Sequence, residues 1–584
     1  MSKRYVTIRL KGQYAETGPL VPGLSATNRK TLFRLDELLQ TVEWILERPR
    51  ITTVVVFRTE EFSGASLAGY ESIRRLLMQL RDADREVIYY AVNYGLEDLF
   101  LASACTSRVI HPLGYVSFFG KALNKLYVGR LLSKHSIGVD VIRHGKYKSA
   151  MSSLVSDRVD RYDREQLDRI LHVMVERVRT LISSDMVLSD AALESMLDGE
   201  LIKAEDAIQR GWIERTDDIA GVFENLTKLQ QTKPGKLKGR LGKSGPRVSV
   251  MFFDGAIDHG SNRKSMLLGQ IMGSDWYVKQ LRKIRKNKKI KALVLRVNSP
   301  GGSATASEDI RRELDRIRED KPVVVSMGQV AASGGYWISS HADRIFAQKF
   351  TITGSIGVIS ALFYLRDFLR KNGITASVVK YGDHADIGST LRKMSIEERR
   401  IFEQQIRDVY TNFLTLVSSG RGIEHESVRE LAEGRIWSGE DAMQNGLIDE
   451  TGDLHSALDY VAGALGVSSI EAHFGPRVKR SFIARLVSES SGSNEERSIS
   501  GLQMVRTAAL SVRKLFGGAF TQRNVLDLSA DESGAGGTGF IAGIPAEISR
   551  ELSALNGKPL ALWQSWLQGH PFDHSTFSDP DGSS

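Results

Sequence analysis

Hydrophobic positions in this chain follow two alternating patterns. Short β-branched runs are typical of buried strands, and longer stretches with apolar residues three and four apart are typical of helices. The long helical stretches cover residues 164–183 and 395–419, each of which should bury one face. Strands that alternate with helices predict an α/β fold with parallel pairing. The clearest strand runs are residues 51–57 (ITTVVVF), 86–91 (EVIYYA), 290–297 (IKALVLRV) and 322–327 (PVVVSM).

The sequence repeats itself with a period of roughly 236 residues. ESIRR at residues 71–75 corresponds to EDIRR at 308–312, and AEDAIQRGWI at 204–213 corresponds to GEDAMQNGLI at 439–448. The repeat predicts two domains of one fold in place of one large domain. We expect an N-terminal strand segment (1–29), a first repeat domain (30–222), a basic linker (223–246), a second repeat domain (247–465) and a partly flexible C-terminal extension (466–584).

Composition agrees with a folded, multidomain protein. The 584 residues are 41% hydrophobic and 26% charged, and the formal net charge is +9. Much of the positive excess lies in residues 228–247, which favours a solvated linker over a membrane-surface contact. Residues 502–516 could form a basic amphipathic helix, for which packing on a partner is favoured over lying on a membrane. The charge is too dispersed to indicate a nucleic-acid partner.

Targeting signals and cysteines give further limits. Polar and apolar residues alternate at the N-terminus as they do in a strand, which is not the pattern of a signal peptide. No run of 18 apolar residues predicts a membrane span. We therefore expect a cytoplasmic or peripherally membrane-associated protein. The single cysteine, Cys105, excludes an intrachain disulfide and a multi-cysteine zinc site. It lies in an apolar run, which favours a buried hydrophobe over a catalytic thiol. No cofactor or metal is predicted.

Three glycine-rich segments of the second repeat are candidates for chemistry. They are NSPGGS at residues 298–303, AASGGY at 331–336 and TGSIGV at 353–358. Ser333 follows a predicted strand and precedes glycines, so its hydroxyl should be exposed at a turn where the N–H of Gly334 is also available. Glycines after the strand in the first segment can likewise turn backbone N–H groups toward an oxyanion. Together the segments predict a serine nucleophile.

A serine nucleophile needs a base, and no Ser-His-Asp set accompanies these motifs. His341 follows Ser333 by eight residues on a predicted helix, more than two turns away, so a structural role is favoured. Lysine is the alternative base. Its pKa must fall by roughly three units from about 10.4 to act near neutrality, which requires burial.

The repeat indicates which lysine. Aligning the halves sets Lys148 opposite Ala385 and Ser333 opposite Glu97, so one half lacks the base and the other lacks the nucleophile. The two halves together supply one complete pair. Lys146 is a rival base because an extended segment would place both lysines on one face, whereas the alignment favours Lys148.

The segments NSPGGS, AASGGYWIS, TGSIGV and YKSA recur here in an order that resembles the signal peptide peptidase A (SppA) family in its long, duplicated form. The similarity covers roughly residues 30–465. It implies two tandem Clp protease/crotonase-like domains and a Ser-Lys dyad. It also implies a homotetramer that cleaves residual signal peptides and other small apolar peptides.

The resemblance also assigns roles within the site: a nucleophile, a general base, a hydroxyl that holds the base, and two oxyanion donors. These are Ser333, Lys148, Ser355, and the backbone N–H groups of Gly334 and of Gly301 or Gly302. Two other functions stay open. One is a crotonase-type acyl-CoA enzyme, which needs no serine nucleophile. The other is a catalytically silent scaffold that binds membrane proteins. Such a scaffold would not need the side chains of Ser333, Lys148 and Ser355 together.

Overall fold

A computed structural model describes residues 3–18, 32–186, 188, 199–235, 237–265 and 269–475 of the protein. The predicted helix over 502–516 and most of the C-terminal extension lie outside the described residues. No helix among the residues described has the length and apolar character needed to cross a membrane.

The first half of the chain forms a six-stranded, wholly parallel sheet. Its central strands are runs of buried Val, Ile and Tyr residues, as expected for a parallel sheet covered by helices on both faces. In spatial order the strands are Arg215–Thr216, Ser107–Ile110, Glu86–Ala91, Ile51–Arg58, Arg4–Leu10 and Gln230–Gln231.

The second half repeats this sheet with the same strand order. From edge to edge its main path is Arg240–Leu241, Glu471–Phe474, Arg247–Asp254, Ile290–Ser299, Val323–Ala332, Arg344–Ala347 and Glu450–Thr451. Two further strands extend it near the end of Val323–Ala332, where Ile352–Gly354 pairs in parallel and Ile436–Ser438 then pairs antiparallel. The predicted α/β class with two tandem repeats is confirmed.

Helices cover both sheets, and the two long predicted helices are present as Arg161–Asp185 and Ile396–Arg421. Each begins at a side-chain cap, because Asp160 accepts from the Asp163 N–H and Ser395 accepts from the Glu398 N–H. The other helices of the first half are Leu35–Leu46, Leu67–Asp82, Leu96–Ala102, Gly129–Lys134, Ala204–Gln209 and Ile219–Glu224, with a 3₁₀ turn at Ser152–Leu154. Those of the second half are Ser274–Lys286, Ala304–Arg318, Gly334–Ser339, Arg366–Lys371, His425–Leu431, Gly439–Gln444 and Leu454–Ala464.

The remaining strands form small separate sheets. Ala256–Asp258, Gly269–Gly273 and Arg263–Ser265 make a three-stranded sheet. Two pairs lie in the first half, Gln13–Ala15 with Leu32–Arg34 and Tyr115–Ser117 with Leu201–Lys203.

The sheets extend past the boundaries expected for the repeats. Arg4–Leu10, placed by the sequence in a separate N-terminal segment, lies beside Ile51–Arg58 in the first sheet. Glu471–Phe474, placed in the C-terminal extension, pairs with Arg247–Asp254 in the second. The predicted linker also contributes a short strand to each sheet. Parallel pairing joins strands that are distant in sequence, so hydrophobic periodicity alone does not show these partners.

The two halves are joined by an antiparallel ribbon, which we call the intrachain ribbon. It pairs Gly138–His144 of the first half with Val358–Tyr364 of the second. Beneath it lies a small core that contains residues of both halves, including Met151, Ile170 and Ile359. The ribbon fixes the end of Gly138–His144 beside the glycine-rich segments of the second half.

Candidate active site

Ser333 lies at the turn between the strand Val323–Ala332 and the helix Gly334–Ser339. It is the N-cap of that helix and has φ 54° and ψ −119°. A serine rarely adopts positive φ, and such strain persists only where the surrounding structure holds it. Here the Ser333 N–H donates to the Gly354 carbonyl at 2.9 Å and the Ser333 carbonyl accepts from the Trp337 N–H at 2.8 Å. The turn therefore presents the hydroxyl in a fixed position.

Lys148 of the first half reaches this hydroxyl. Its Nζ lies 3.0 Å from Ser333 Oγ, 2.9 Å from Ser355 Oγ and 2.7 Å from the Ser355 carbonyl oxygen. The lysine is only 2% exposed. The structure thus brings together three of the residues that the sequence predicted, from two halves of the chain.

Burial changes the charge state of this lysine. Desolvation lowers the pKa of Lys148 from 10.5 to about 7, because the ammonium loses its hydration. At neutral pH a substantial fraction of the side chain is therefore a neutral amine. A neutral amine has a lone pair that can accept the proton of the Ser333 hydroxyl 3.0 Å away.

The structure separates Lys148 from its rival Lys146. The expectation that both lysines lie on one face of an extended segment is wrong. The strand ends at His144 and the chain turns, with the Lys148 N–H donating to the Gly145 carbonyl at 3.1 Å. Lys146 is exposed, and its Nζ lies 5.5 Å from the centroid of the Tyr147 ring. A turn breaks the two-residue alternation on which the expectation rested.

A buried polar network holds the loop that carries the lysine. Ser149 Oγ donates to Asp163 Oδ1 at 2.6 Å, and Lys125 Nζ contacts Asp163 Oδ2 at 2.6 Å. Gln166 Nε2 donates to the Tyr147 carbonyl at 3.0 Å. Because buried polar groups that lose a partner are costly, this network favours one conformation of the loop. No motif in the sequence marks the side chains of this network.

Gly434 of the second half packs directly on Lys148. It has φ +77°, and a Cβ atom there would lie 2.6 Å from both the Lys148 Cβ and its backbone nitrogen. Real Cβ contacts are not this short, so any side chain at Gly434 would displace the lysine. Its role is invisible in a single sequence because Gly434 lies in none of the serine-containing motifs.

We therefore expect Gly434→Ala to lower kcat/KM for a peptide substrate by about 100-fold or more, since small displacements of a catalytic group are that costly. The matched control is Gly373→Ala. That glycine has a similar φ of +74°, and nothing lies within 4 Å of its added Cβ. Both substitutions add a Cβ atom at positive φ and should lower the free energy of unfolding similarly, but only Gly434→Ala should lose activity. Equal activity in the two would show that the packing on Lys148 is unimportant.

The oxyanion candidates differ in the availability of their N–H groups. The Gly301 N–H donates to Ser299 Oγ at 3.2 Å. Gly302 forms a parallel bridge with Ile257 in which the neighbours of Gly302 make the hydrogen bonds, so its own N–H faces away from Ile257. Within the described part of the chain, neither the Gly302 N–H nor the Gly334 N–H has a hydrogen-bond acceptor. Both residues line the cavity beside Ser333.

Gly301 has a different structural role. A Cβ there would lie 2.7 Å from the Ser333 Cβ and 2.5 Å from the Gly334 nitrogen. The absence of a side chain allows the NSPGGS loop to approach Ser333. Of the two alternatives in the sequence analysis, the geometry favours Gly302 over Gly301 as the second donor.

The cavity beside Ser333 has a mostly apolar wall. The strand after Ser355 contributes Val358 and Ile359, while Trp337 follows Ser333 by four residues. Val409 and Phe413 complete the wall from the long helix Ile396–Arg421. No motif marks these last two residues, because the helix is brought to the site only by tertiary packing.

Other residues discussed from the sequence lie apart from this geometry. His341 contacts the Leu416 carbonyl and Asp315, consistent with a structural role. Burial raises the pKa of Cys105 to about 12, so it is a thiol and not a reactive thiolate.

The aligned position in the first half needs a correction. The counterpart of Ser333 as helix N-cap is Gly95, whereas Glu97 lies two residues further and forms an ion pair with Lys121. Alignment of short turns by sequence alone permits such a shift. The helix Leu96–Ala102 still has no serine at its N-cap, and Ala385 is exposed.

A known family model covers part of each repeat. The model of peptidase family S49 matches the chain twice, over residues 79–233 and 315–468. The first segment contains Lys148 and the second contains Ser333 and Ser355. The two segments begin 236 residues apart, which is the period found in the sequence.

Individual relatives cover most of the chain. Protease 4 of Salmonella typhi is 33% identical over 429 residues, which are 70% of this chain and 68% of that protein. Protease 4 of Haemophilus influenzae is 32% identical, with 68% of each chain covered. The chloroplastic serine protease SPPA of Arabidopsis thaliana is 28% identical over 66% of this chain and 60% of its own.

Among solved structures, ClpP1 from Listeria monocytogenes aligns with 36% of this chain and 93% of its own at 15% identity, with a TM-score of 0.24 that is too low to bear on the fold. The two matched segments and the length of the similarity to the protease 4 sequences establish the family. The chain belongs to peptidase family S49 and is a serine peptidase.

Proposed function

We propose that this peptidase hydrolyses small apolar peptides, such as residual signal peptides, with a Ser-Lys dyad shared between its two repeats. One observation carries the proposal. The buried amine of Lys148, whose pKa is lowered to about 7, lies 3.0 Å from the Ser333 hydroxyl. An unprotonated amine at this distance from a serine is the arrangement needed for nucleophilic catalysis by a Ser-Lys pair.

Acylation follows from the hydrogen bonds of the amine. A neutral lysine has two N–H groups and one lone pair. The two N–H groups are satisfied by the carbonyl and hydroxyl oxygens of Ser355, which directs the lone pair to Ser333. As Ser333 Oγ attacks the peptide carbonyl carbon, its proton moves to Lys148 Nζ. Protonated Lys148 then donates that proton to the leaving amine nitrogen as the peptide C–N bond breaks, and an acyl-enzyme results.

The negative charge that develops on the carbonyl oxygen is stabilised by the N–H groups of Gly334 and Gly302. Donors of this kind are each worth about 2.7–4 kcal/mol of transition-state stabilisation. In deacylation a water molecule gives a proton to Lys148 as it attacks the ester carbon. The proton then returns to Ser333 Oγ as the acid product leaves.

Specificity is attributed to the cavity wall of Trp337, Val358, Ile359, Val409 and Phe413. Apart from Lys148, whose amine is held by Ser333 and Ser355, the lining of this cavity has no ionisable side chain, so burying a charged substrate side chain against the wall is unfavourable. Small or apolar residues beside the scissile bond should therefore be preferred. The apolar wall is consistent with the remnants of signal peptides as substrates.

A peptide library measures this preference directly. We expect cleavage beside small or apolar residues, and Val409→Lys should lower kcat/KM for such substrates by about 10-fold or more because it places a charge in the wall. Thr411→Lys, on the exposed face of the same helix, is the matched control. A wild-type preference for charged residues, or equal effects of the two variants, would contradict the proposal.

Two further properties belong to the same proposal. The resemblance to the long SppA form supports a homotetramer. Peripheral contact with a membrane surface is the second property, and it is the less favoured interpretation of the basic residues in 228–247, which fit a solvated linker better. An acyl-CoA enzyme of the crotonase type would not use a serine nucleophile, and a silent scaffold would not label at all. Covalent labelling of Ser333 by a serine-reactive probe distinguishes both alternatives from a peptidase.

A further inference from the structure

A carboxylate that does not line the cavity holds one residue of its wall. Glu308 Oε2 accepts a hydrogen bond from the indole N–H of Trp337 at 2.9 Å. Trp337 is 6% exposed and lines the cavity beside Ser333, whereas Glu308 is not among the lining residues. Glu308 also has no part in the acylation and deacylation steps described above. Any effect that it has on the site must therefore pass through Trp337.

The carboxylate of Glu308 is itself held in place. It accepts four N–H groups, because Arg311 donates through Nε at 2.7 Å and through Nη2 at 2.8 Å, Arg312 donates through Nε at 2.8 Å, and the indole is the fourth donor. Desolvation raises the pKa of this carboxyl, but the hydrogen bonds from the two arginines and the indole outweigh it and lower the pKa to about 2. Glu308 is therefore ionised at neutral pH, and hydrogen bonds to an ionised acceptor are stronger than neutral ones.

The hydrogen bond between Glu308 and Trp337 connects two helices at the site. Glu308 lies on the helix Ala304–Arg318, and Trp337 lies on the helix Gly334–Ser339, which Ser333 caps. The backbone N–H of Trp337 donates to the Ser333 carbonyl at 2.8 Å. The backbone and the indole of Trp337 are thus each held by a hydrogen bond, and a side chain held in this way keeps one orientation.

The orientation of this ring affects the size of the cavity. The ring centroids of Trp337 and Phe413 lie 4.6 Å apart, and both residues line the cavity. The cavity has a volume of about 20 Å³, which is close to the space that a single water molecule needs. Rotation of an indole would change the free space by an amount comparable with this volume.

The first repeat keeps the glutamate but not the pairing. Glu71 is the counterpart of Glu308 in the segments ESIRR and EDIRR, and it accepts from the Phe350 N–H at 3.4 Å. Desolvation raises the pKa of Glu71 to about 7. The counterpart of Trp337 is Leu99, which also follows its helix N-cap by four residues and has no side-chain donor. The pair of carboxylate and indole therefore belongs to the repeat that carries the glycine-rich segments.

We propose that Glu308 is a positioning residue that sets the specificity of this peptidase by fixing the Trp337 indole in the cavity wall. The inference rests on the proposed function, because it takes the cavity as the place that receives the side chain beside the scissile bond. While the indole is fixed, it limits the size of the side chain that the cavity accepts. Without the Glu308 carboxylate the ring can move into the vacated space, so larger apolar side chains gain relative to smaller ones.

Two peptides that differ only in the residue supplying the scissile carbonyl, alanine or leucine, measure this effect. Glu308→Ala should raise the leucine-to-alanine ratio of kcat/KM by about 10-fold or more, the effect of a few methyl-sized groups in an apolar pocket. Arg312→Ala is the matched control. Arg312 donates to the same carboxylate, but its side chain is 65% exposed, and exposed ion pairs contribute little. The ratio for Arg312→Ala should therefore equal that of the wild type.

The pairing with the indole is tested by repeating Glu308→Ala in a Trp337→Phe background. Phenylalanine keeps an aromatic ring but has no N–H, so removal of the carboxylate should not change the ratio further there. Glu308→Gln keeps the size of the side chain but has one acceptor oxygen in place of two. It should shift the ratio in the same direction, and it replaces Glu308→Ala in both backgrounds if that variant does not fold.

Three outcomes would overturn the proposal: an unchanged ratio in the Glu308 variants, an equal shift in Arg312→Ala, or the same shift in the presence and absence of the indole. A merely structural role of Glu308 would lower kcat/KM for both peptides together and leave their ratio unchanged. The ratios are measured on variants in which a serine-reactive probe still labels Ser333. Failure of the dyad would abolish that labelling in the wild type, so it is distinguishable from failure of this inference.

Discussion

Ser333→Ala is expected to lower kcat/KM for an apolar peptide about 10⁶-fold, because removing the nucleophile of a serine peptidase leaves only binding and oxyanion stabilisation. The fold should persist. Ser333 has φ 54° in the native turn, a conformation that L-residues adopt at a cost and that glycine adopts freely. Ser333→Gly should therefore be as inactive as Ser333→Ala and more stable than it by about 1 kcal/mol.

The measurements are steady-state kinetics and denaturant unfolding of both variants. Loss of activity together with unchanged or improved stability separates a catalytic role from a structural one. Residual activity within 100-fold of the wild type would mean that another residue is the nucleophile.

Lys148→Met should lower kcat/KM by about 10⁴-fold, the upper range for a general base, while Lys146→Met should be close to the wild type. The two lysines are separated by one residue, and only Lys148 is buried. Both variants remove one lysine, so a difference in activity between them reports the position of the lysine and not the loss of a positive charge. Comparable losses in both would contradict the assignment of Lys148.

The pH dependence of stability checks the charge state of this lysine. The pKa of Lys148 is about 7 in the folded protein and 10.5 without burial, so between these values the unfolded state binds a proton that the folded state does not. Wild-type stability consequently rises with pH across this window, and the burial penalty is fully present below pH 7. Lys148→Met lacks the penalty. Its Tm relative to the wild type should be more favourable at pH 6 than at pH 10, and a pH-independent difference would contradict a lowered pKa.

Part of the site could be predicted from the sequence because its signals are local. A serine between a strand and glycines predicts an exposed hydroxyl, and Ser333 lies at such a turn. The long-range pairing with Lys148 could be predicted because the chain carries two copies of its fold, each missing a different residue. The structure places the two atoms 3.0 Å apart, while their catalytic roles stay a prediction.

The remaining features depend on tertiary packing that no local pattern records. Val409 and Phe413 reach the site from a helix far along the chain. Gly434 is needed only because the backbone of the second half passes over Lys148. The choice between Lys146 and Lys148 depended on a turn that strand periodicity does not predict. The expected counterpart of Ser333, Glu97, lies two residues from the observed one, Gly95, because the sequence does not show where the helix Leu96–Ala102 begins.

The dyad is tested most directly by the rate at which a fluorophosphonate probe acylates the protein, measured against pH with the adduct located by mass spectrometry. The account predicts an adduct on Ser333 whose rate of formation rises with pH around an apparent pKa of about 7, the value for Lys148. It also predicts that the adduct is lost in Lys148→Met and retained in Lys146→Met. An adduct on another residue, or rapid labelling of Ser333 in Lys148→Met, would contradict it.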